Sequence, residues 1–286
     1  MSRNVAGATA IALTCFAGNS LLCRLALAER HVDAATFTAV RLASGAFVLA
    51  LLARGRPVDA RAPSARWGSG ALLFAYALPF SLAYLRVGAA LGALVLFASV
   101  QATMIGWGVA HGERPPPAAW LGIAVAVAGL VALTAPGVSA PDPLGTVGMV
   151  VAGAAWGAYS LRGRGAGDPL RATASSFARA LPFMVVVVPV AYATAGLHAT
   201  PRGLVLAAVS GALASGVGYA VWYAALRELT ATRAAVLQLL VPILAAGGAV
   251  ALLGEHLGTR FFLAAATILG GVALTITAAR RPRPAR

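Results

Sequence analysis

The sequence has few acidic residues and no lysine. Of its 286 residues, 8 are Asp or Glu and 22 are basic, all of them arginine, so the formal net charge is +14. Every acid lies at or beyond the edge of an apolar run, and so do the four histidines, His31, His111, His198 and His256. An intramembrane enzyme would need a buried base beside a nucleophile, paired carboxylates or metal ligands on facing helices. The sequence therefore disfavours an enzyme, even though Ser215-Gly216 could suggest a serine nucleophile.

Cysteine is also scarce, and its placement excludes a disulfide. Cys15 and Cys23 fall in one apolar segment, and on a helix they would be roughly 12 Å apart. We expect both to be small packing residues. The sequence has no cluster of metal ligands and no GxxxxGK[ST] phosphate loop, so we expect no metal, no cofactor and no use of ATP.

Long apolar runs dominate the chain. Hydrophobic residues make up 60% of it, charged residues 10%, and the mean hydropathy is +0.84, which is outside the range of soluble globular proteins. A helix that crosses a membrane needs roughly 20 apolar residues, and the chain supplies about ten such runs. The sequence predicts an all-α integral membrane protein with helices at 4–27, 33–53, 67–85, 88–110, 117–135, 144–161, 171–195, 203–225, 232–253 and 259–279.

The two halves of the chain resemble each other. Residues 13–135 overlay on 153–279 at an offset of about 140, which places Gly112-Glu113 over Gly254-Glu255. The sequence thus predicts two repeats of five helices, 1–138 and 139–286. Since five is odd, the second repeat enters the membrane from the opposite side. An inverted repeat of this kind is typical of secondary transporters, whose substrate site lies near the midplane between the halves.

The arginines predict the orientation. Placed on the ten-helix pattern, most of them share the side of both termini, and positively charged loops stay in the cytoplasm, so we expect both termini inside. The basic residues form no single face with interleaved aromatics, which argues against nucleic-acid binding.

The start of the chain imitates a cleavable signal peptide, with Arg3, an apolar run after it, and then Ala26-Leu27-Ala28. We expect the segment to be retained, because it has a counterpart at 144–164 and contains Asn19 and Arg24. On the ten-helix pattern, the side of the membrane opposite the two termini holds only five arginines: Arg24, Arg30, Arg86, Arg202 and Arg260.

Aromatic and polar residues within the predicted spans indicate a substrate pocket. Tyr76 and Phe80 repeat on one face of helix 3, and helix 8 carries Tyr219 and Trp222 on a comparable face. A pocket with aromatic walls and a few polar groups suits an amphipathic small molecule, although some of these rings could instead form the interfacial belt. The candidate substrate-binding residues are Phe16, Asn19, Tyr76, Phe80, Gln101, Trp156, Tyr159, Tyr219, Trp222 and Gln238.

Four further residues are candidates for gating or for structure. Arg41 and Arg179 lie inside predicted spans, where a cation is costly and should face protein, water or an anion. Their near-equivalence in the two repeats favours a structural role over binding of a substrate carboxylate. Pro79 and Pro242 fall at mid-membrane depth, where a kink would suit a moving gate or be a static bend.

The ordered set of motifs resembles the EamA-type carriers of the drug/metabolite transporter superfamily. It comprises Phe16-Ala17-Gly18-Asn19 and Trp156-Gly157-Ala158-Tyr159 at the starts of the halves, Arg41 in helix 2, and the two Gly-Glu pairs. The chain is similar to the aromatic amino-acid exporters of bacteria. The usual Trp-Gly of the first half is Phe16-Ala17 here.

The resemblance implies a multi-pass protein of the bacterial inner membrane that exports amino acids, preferably aromatic or other hydrophobic ones, or related metabolites by alternating access. The cavity would be lined by helices 1, 3, 4, 6, 8 and 9, and helices 5 and 10 would lie at the periphery, where a homodimer contact is possible. The absence of an acid in the spans favours transport without strong ion coupling. The alternative is a proton-coupled exporter of drug-like or other amphipathic compounds, and a membrane enzyme is the third reading.

Overall fold

Ten helical spans, α1 to α10, make up the described part of the protein. The computed structural model describes residues 3–55, 67–112, 114–134, 141–163, 168–226, 228–229 and 237–278. Within these ranges it contains no β-strand, so the predicted all-α fold and its ten helices are confirmed. The spans are α1 Arg3–Ala28, α2 Ala34–Leu52, α3 Trp67–Tyr84, α4 Ala89–Ala110, α5 Pro117–Thr134, α6 Pro143–Gly163, α7 Pro169–Ala195, α8 Pro201–Val209 continued by Ser210–Val217 and Gly218–Leu226, α9 Leu240–Leu253 and α10 Thr259–Ala278.

Most of these helices have the length and composition of a membrane span. Of the described helices, seven are long and apolar enough to cross a bilayer: α1, α2, α4, α6, α7, α8 and α10. The other three, α3, α5 and α9, have 18, 18 and 14 residues. The predicted ninth helix covered 232–253, and its first residues lie outside the described ranges. A multi-pass membrane protein follows from this set of helices.

Capping residues explain where the second-half helices begin. Asp168 accepts hydrogen bonds from the backbone N–H groups of Leu170 and Arg171, and Pro169 occupies the first turn of α7. Thr200 accepts a hydrogen bond from Gly203 N at 3.1 Å, and Pro201 opens α8. Cap residues followed by proline are strong helix-start signals. The predicted starts at 171 and 203 were two residues late because the apolar pattern alone does not include them.

Small residues set the closest helix contacts. In α6, a Cβ at Gly153 would collide with the Leu96 carbonyl of α4, and one at Gly157 would lie 2.9 Å from Thr103 Cβ. In α10, a Cβ at Gly271 would lie 2.5 Å from Ala126 N of α5. Such positions let helix backbones approach each other where no hydrophobic force between helices is available.

The first helix of each half of the chain packs against helices of the other half. The helix α1 packs against α8 and α9 of the second half, and α6 packs against α3 and α4 of the first. The pairs α2 with α7, α4 with α9, and α5 with α10 are also in contact. The helices that open each half therefore lie inside the opposite half, in the middle of the molecule.

The two candidate gating prolines differ in their positions along their helices. Pro79 lies in the interior of α3, where it removes a backbone hydrogen bond. The described α9 begins at Leu240 and contains Pro242 as its third residue. Residues 237–238 before it are also helical, and Leu239 has a helical backbone conformation, so helical structure extends on both sides of Pro242.

A π-helical segment, Ser210–Val217, interrupts α8. Its sequence, SGALASGV, combines small residues with two serines, and the apolar pattern did not predict any departure from a regular helix. A Cβ at Gly211 would collide with the Arg41 carbonyl oxygen and the Ser44 hydroxyl of α2. Segments of this kind are frequent at functional sites because they redirect side chains.

Candidate transport cavity

A small aromatic cavity lies where α1, α3, α4, α6 and α8 meet. Its volume is about 20 Å3, enough for roughly one water molecule. A molecule of the size of an amino acid does not fit in this volume. The lining residues are Phe16, Asn19, Ser20, Tyr76, Phe80, Leu96, Phe97, Trp156, Ala214 and Tyr219.

The cavity walls are a connected set of aromatic rings. Trp156 of α6 contacts Tyr76 of α3 at a centroid distance of 5.1 Å and Tyr219 of α8 at 4.9 Å. Phe16 of α1 meets Tyr219 edge-on at 5.7 Å. Rings at these separations attract one another beyond their buried area, so the walls are held in shape by their own contacts. The structure brings six of the predicted pocket residues together here: Phe16, Asn19, Tyr76, Phe80, Trp156 and Tyr219.

The polar edge of the cavity is a hydrogen-bonded chain centred on Tyr76. The Tyr76 hydroxyl accepts from Asn19 Nδ2 at 3.2 Å and from Arg41 Nη2 at 2.9 Å. Ser210 Oγ donates to Asn19 Oδ1 at 2.7 Å, and Arg41 Nε donates to Ser215 Oγ at 3.3 Å. All of these side chains are buried. Both serines come from the π-helical segment, which thus supplies partners that the sequence interpretation missed.

Arg41 and Arg179 occupy unlike environments, although the predicted repeat gives them near-equivalent positions. Arg41 is 1% exposed, and its guanidinium lies 5.1 Å from the Tyr76 ring centroid and 4.9 Å from that of Phe80. Arg179 is half-buried and donates from Nη1 to its own helix, to Ser175 O at 3.4 Å. The inference of one shared structural role, drawn from their matching positions, therefore does not follow from their surroundings.

Four predicted pocket residues lie outside the cavity lining. Tyr159 touches Trp156 at 5.4 Å but lines a separate cavity of about 10 Å3 with Thr173 and Tyr223. Trp222 packs behind Phe16 at 5.7 Å. Gln238 is half-buried just before α9, and among the described residues α9 contributes none to the cavity.

Gln101 is the largest departure from the expected site. It lines an apolar groove of about 350 Å3 between α4, α5 and α10, and its Nε2 has no hydrogen-bond partner. The sequence indicated only that a polar residue sits within helix 4. Which side of the helix faces the centre depends on how α4 is rotated against α6, and the close contacts of Gly153 and Gly157 fix that rotation.

One end of the molecule is joined across the two halves by polar contacts. We call it the clasped end and define it by Asp33, Arg86, Asp142, His198 and Glu255. His198 N donates to Asp33 Oδ2 at 3.1 Å, and Arg86 Nη1 pairs with Asp142 Oδ2 at 3.4 Å. Glu255 accepts from the N–H groups of Ala89 and Ala90 at 2.6 and 3.3 Å. A carboxylate at the N-terminus of α4 also meets the positive end of the helix dipole.

Within the described ranges, no group of three or more His, Cys, Asp or Glu side chains could hold a metal ion. The cavity instead offers aromatic faces, one amide and several hydroxyls, which can bind a small amphipathic molecule.

Comparison with known proteins identifies the family. Residues 143–277 match the model of the EamA-like transporter family. An uncharacterized protein of Pseudomonas aeruginosa is 48% identical over 278 residues, which cover 97% of this chain and 96% of that protein. A crystal structure of another protein superposes with a TM-score of 0.66 at 21% identity, covering 94% of this chain and 98% of the other, so the two share a fold. The resemblance drawn from the motifs is thereby confirmed: the chain contains a domain of the EamA-like transporter family, in the drug/metabolite transporter superfamily.

Proposed function

We propose that the protein exports amino acids, preferably aromatic or other hydrophobic ones, or related small metabolites across the bacterial inner membrane by alternating access. The observation that carries the proposal is the central cavity, walled by Trp156, Tyr76 and Tyr219 and edged by Asn19. Aromatic walls bind an apolar side chain, and a few fixed polar groups orient the rest of the substrate. Membership of a transporter family agrees with this use of the cavity.

The proposed architecture is a five-plus-five inverted repeat, 1–138 and 139–286, with both termini in the cytoplasm. The exchange of partners supports it, since α1 packs in the second half as α6 packs in the first. The cavity is then the midplane site between the halves. Rocking of one half against the other would open it to each side in turn.

Transport without strong ion coupling is part of the proposal. Of the described residues that line the cavity, none is acidic. Proton-coupled carriers generally keep an ionisable group within the membrane to bind and release the proton. The gradient of the substrate itself, or its charge, would then supply the driving force.

A flux assay tests the proposal. The purified protein is reconstituted in liposomes loaded with radiolabelled phenylalanine, tryptophan, leucine or alanine, and efflux is followed with and without a pH gradient. We expect saturable efflux of the aromatic and aliphatic amino acids that the gradient leaves unchanged. Absence of flux for every amino acid would reject the proposed substrates. Flux that requires the gradient would favour a proton-coupled exporter of amphipathic compounds.

A further inference from the structure

Arg41 carries a positive charge that the described part of the protein does not neutralise. Its side chain is 1% exposed, and none of the ion pairs among the described residues includes it. Its hydrogen-bond acceptors are two neutral hydroxyls, those of Ser215 and Tyr76. A buried cation without an anion is costly, and in membrane proteins such charges mark substrate or ion pathways.

One end of the guanidinium is left free. A guanidinium has five N–H donors in a planar fork, and Arg41 uses the one on Nε and one of the two on Nη2. Its Nη1 is buried and has no hydrogen-bond partner. The guanidinium carbon lies over the rings of Tyr76 and Phe80, 5.1 and 4.9 Å from their centroids, and both of these rings line the cavity. The guanidinium that carries this donor therefore lies next to two rings of the cavity wall.

The polar groups at the edge of the cavity are neutral, and Asn19 is engaged with its neighbours through both ends of its amide. Asn19 Nδ2 donates to Tyr76, while the amide oxygen of Asn19 already accepts from Ser210. The Ser20 hydroxyl can donate or accept. Among the described residues that line the cavity there is no carboxylate to pair with an ammonium group. A substrate ammonium group would meet only ring faces and neutral polar groups here, whereas a carboxylate could meet the guanidinium of Arg41 beside the cavity.

We propose that Arg41 is the anion anchor of the transport site, and that the site favours apolar monocarboxylates over zwitterionic amino acids. The substrate carboxylate would bind Nη1 of Arg41 and share the Tyr76 hydroxyl, with the apolar part against Trp156 and Tyr219. An arginine fork matches a planar carboxylate better than any other side chain does. The inference rests on the proposed function only in that the cavity is the transport site.

An anionic substrate also agrees with the absence of an acid from the cavity lining. A bacterial cell interior is electrically negative, so the membrane potential drives anions outward. A zwitterion carries no net charge and gains nothing from the potential. Export of a monocarboxylate thus needs no bound proton or sodium ion as a driving force.

Equilibrium binding of three ligands of one shape tests the inference. They are 3-phenylpropionate with a carboxylate only, phenylalanine with both charges, and phenylalaninamide with an ammonium only. Each is titrated by calorimetry into the full-length protein in nanodiscs, as wild type, R41Q, R41K and R179Q. Arg179 is the matched control, because the repeat places it opposite Arg41 while its guanidinium bonds within its own helix.

For the wild type we expect 3-phenylpropionate to bind most tightly and phenylalaninamide most weakly. In R41Q, the Kd of 3-phenylpropionate should rise roughly 10- to 100-fold, because a charge-assisted hydrogen bond is lost, while that of phenylalaninamide changes little. R41K should fall between, since lysine keeps the charge but not the fork. R179Q should preserve the order and the values of the wild type.

Several results would overturn the inference. The first is that phenylalaninamide binds the wild type as tightly as 3-phenylpropionate does. The second is that R41Q weakens the binding of all three ligands equally, which is the result expected if Arg41 has a purely structural role. Binding of none of the three ligands would reject it as well. If R41Q does not fold, the inference is tested by the order of the three ligand affinities for the wild type and by the affinities of R41K. Tight 3-phenylpropionate binding without amino-acid flux would reject the proposed amino-acid substrates but keep the anion anchor.

Discussion

Tyr76 places a single hydroxyl between two buried polar side chains, Arg41 and Asn19. It accepts from both, at 2.9 and 3.2 Å, in a site with little access to water. Buried donors without an acceptor cost more free energy than the hydrogen bond itself contributes. The residue thus joins the aromatic wall of the cavity to its charged neighbour.

Replacement of this hydroxyl should destabilise the protein without changing its shape. In Y76F, Arg41 Nη2 and Asn19 Nδ2 lose their acceptor, and we expect the free energy of unfolding to fall by about 1–3 kcal/mol. Thermal denaturation in detergent measures the effect. The control is Y192F, since Tyr192 is 70% exposed on α7. Equal stability of Y76F and Y192F would mean that the hydroxyl has no such role.

The sequence predicts the aromatic residues of the site better than its polar ones. Tyr76 and Phe80 share a face because helical spacing places them there, and their large rings have few other places to be buried in a membrane protein. Ser210 and Ser215 could not be assigned, since their direction depends on the π-helical segment. Gln101 lines the groove between α4, α5 and α10 and not the aromatic cavity, and helical spacing within a span that is apolar all round does not reveal this rotation.

Among the helices, the contact between α4 and α6 depends on two glycines. A Cβ at Gly153 would meet the Leu96 carbonyl, which is backbone and cannot turn aside. The helix bounds themselves follow from apolar length, cap residues and proline, so sequence predicts them to within a few residues. The rotations of the helices about their axes follow from such close contacts. A single sequence does not show which of its many glycines make them, so it does not predict these rotations.

The alanine variant of Gly153 should push α6 away from α4. We expect G153A to lower the free energy of unfolding by about 1–3 kcal/mol, the usual cost of overpacking a close contact. The matched control is G18A in α1, where a Cβ would meet nothing within 4 Å. Both variants are compared by thermal denaturation. Alanine favours a helix over glycine, so G18A should not lose stability. A loss of stability in G18A as large as in G153A would show that the close contact is not the cause.

At the scale of the whole molecule, the clasped end holds the two halves together. Each of its links, Asp33 with His198, Arg86 with Asp142, and Glu255 with Ala89, joins a residue of the first half to one of the second. In alternating access, one end must open when the other closes. These links are the contacts that opening of this end would have to break.

Gly88 gives a way to weaken one link without removing a charge. A Cβ there would lie 2.6 Å from Glu255 Oε2, while the φ of −68° allows alanine. We expect G88A to displace the carboxylate and to speed hydrogen exchange of the Ala89 and Ala90 amides by roughly tenfold, the effect of losing a charge-assisted hydrogen bond. G247A, at a position with no neighbour within 4 Å, is the control. Exchange in G88A that matches G247A would exclude the link as a restraint on this end.

Saturable efflux from proteoliposomes that carry wild type, W156A or W120A is the most direct test of the aromatic cavity as the transport site. Trp156 is 8% exposed and touches Tyr76, Tyr159 and Tyr219, whereas Trp120 is 50% exposed on α5, away from the cavity. Loss of a cavity aromatic typically costs 2 kcal/mol or more of binding, about a 30-fold rise in KM. We expect W156A to reduce efflux of phenylalanine at equal protein incorporation, and W120A to retain it. Unchanged kinetics in W156A would contradict the assignment of the cavity.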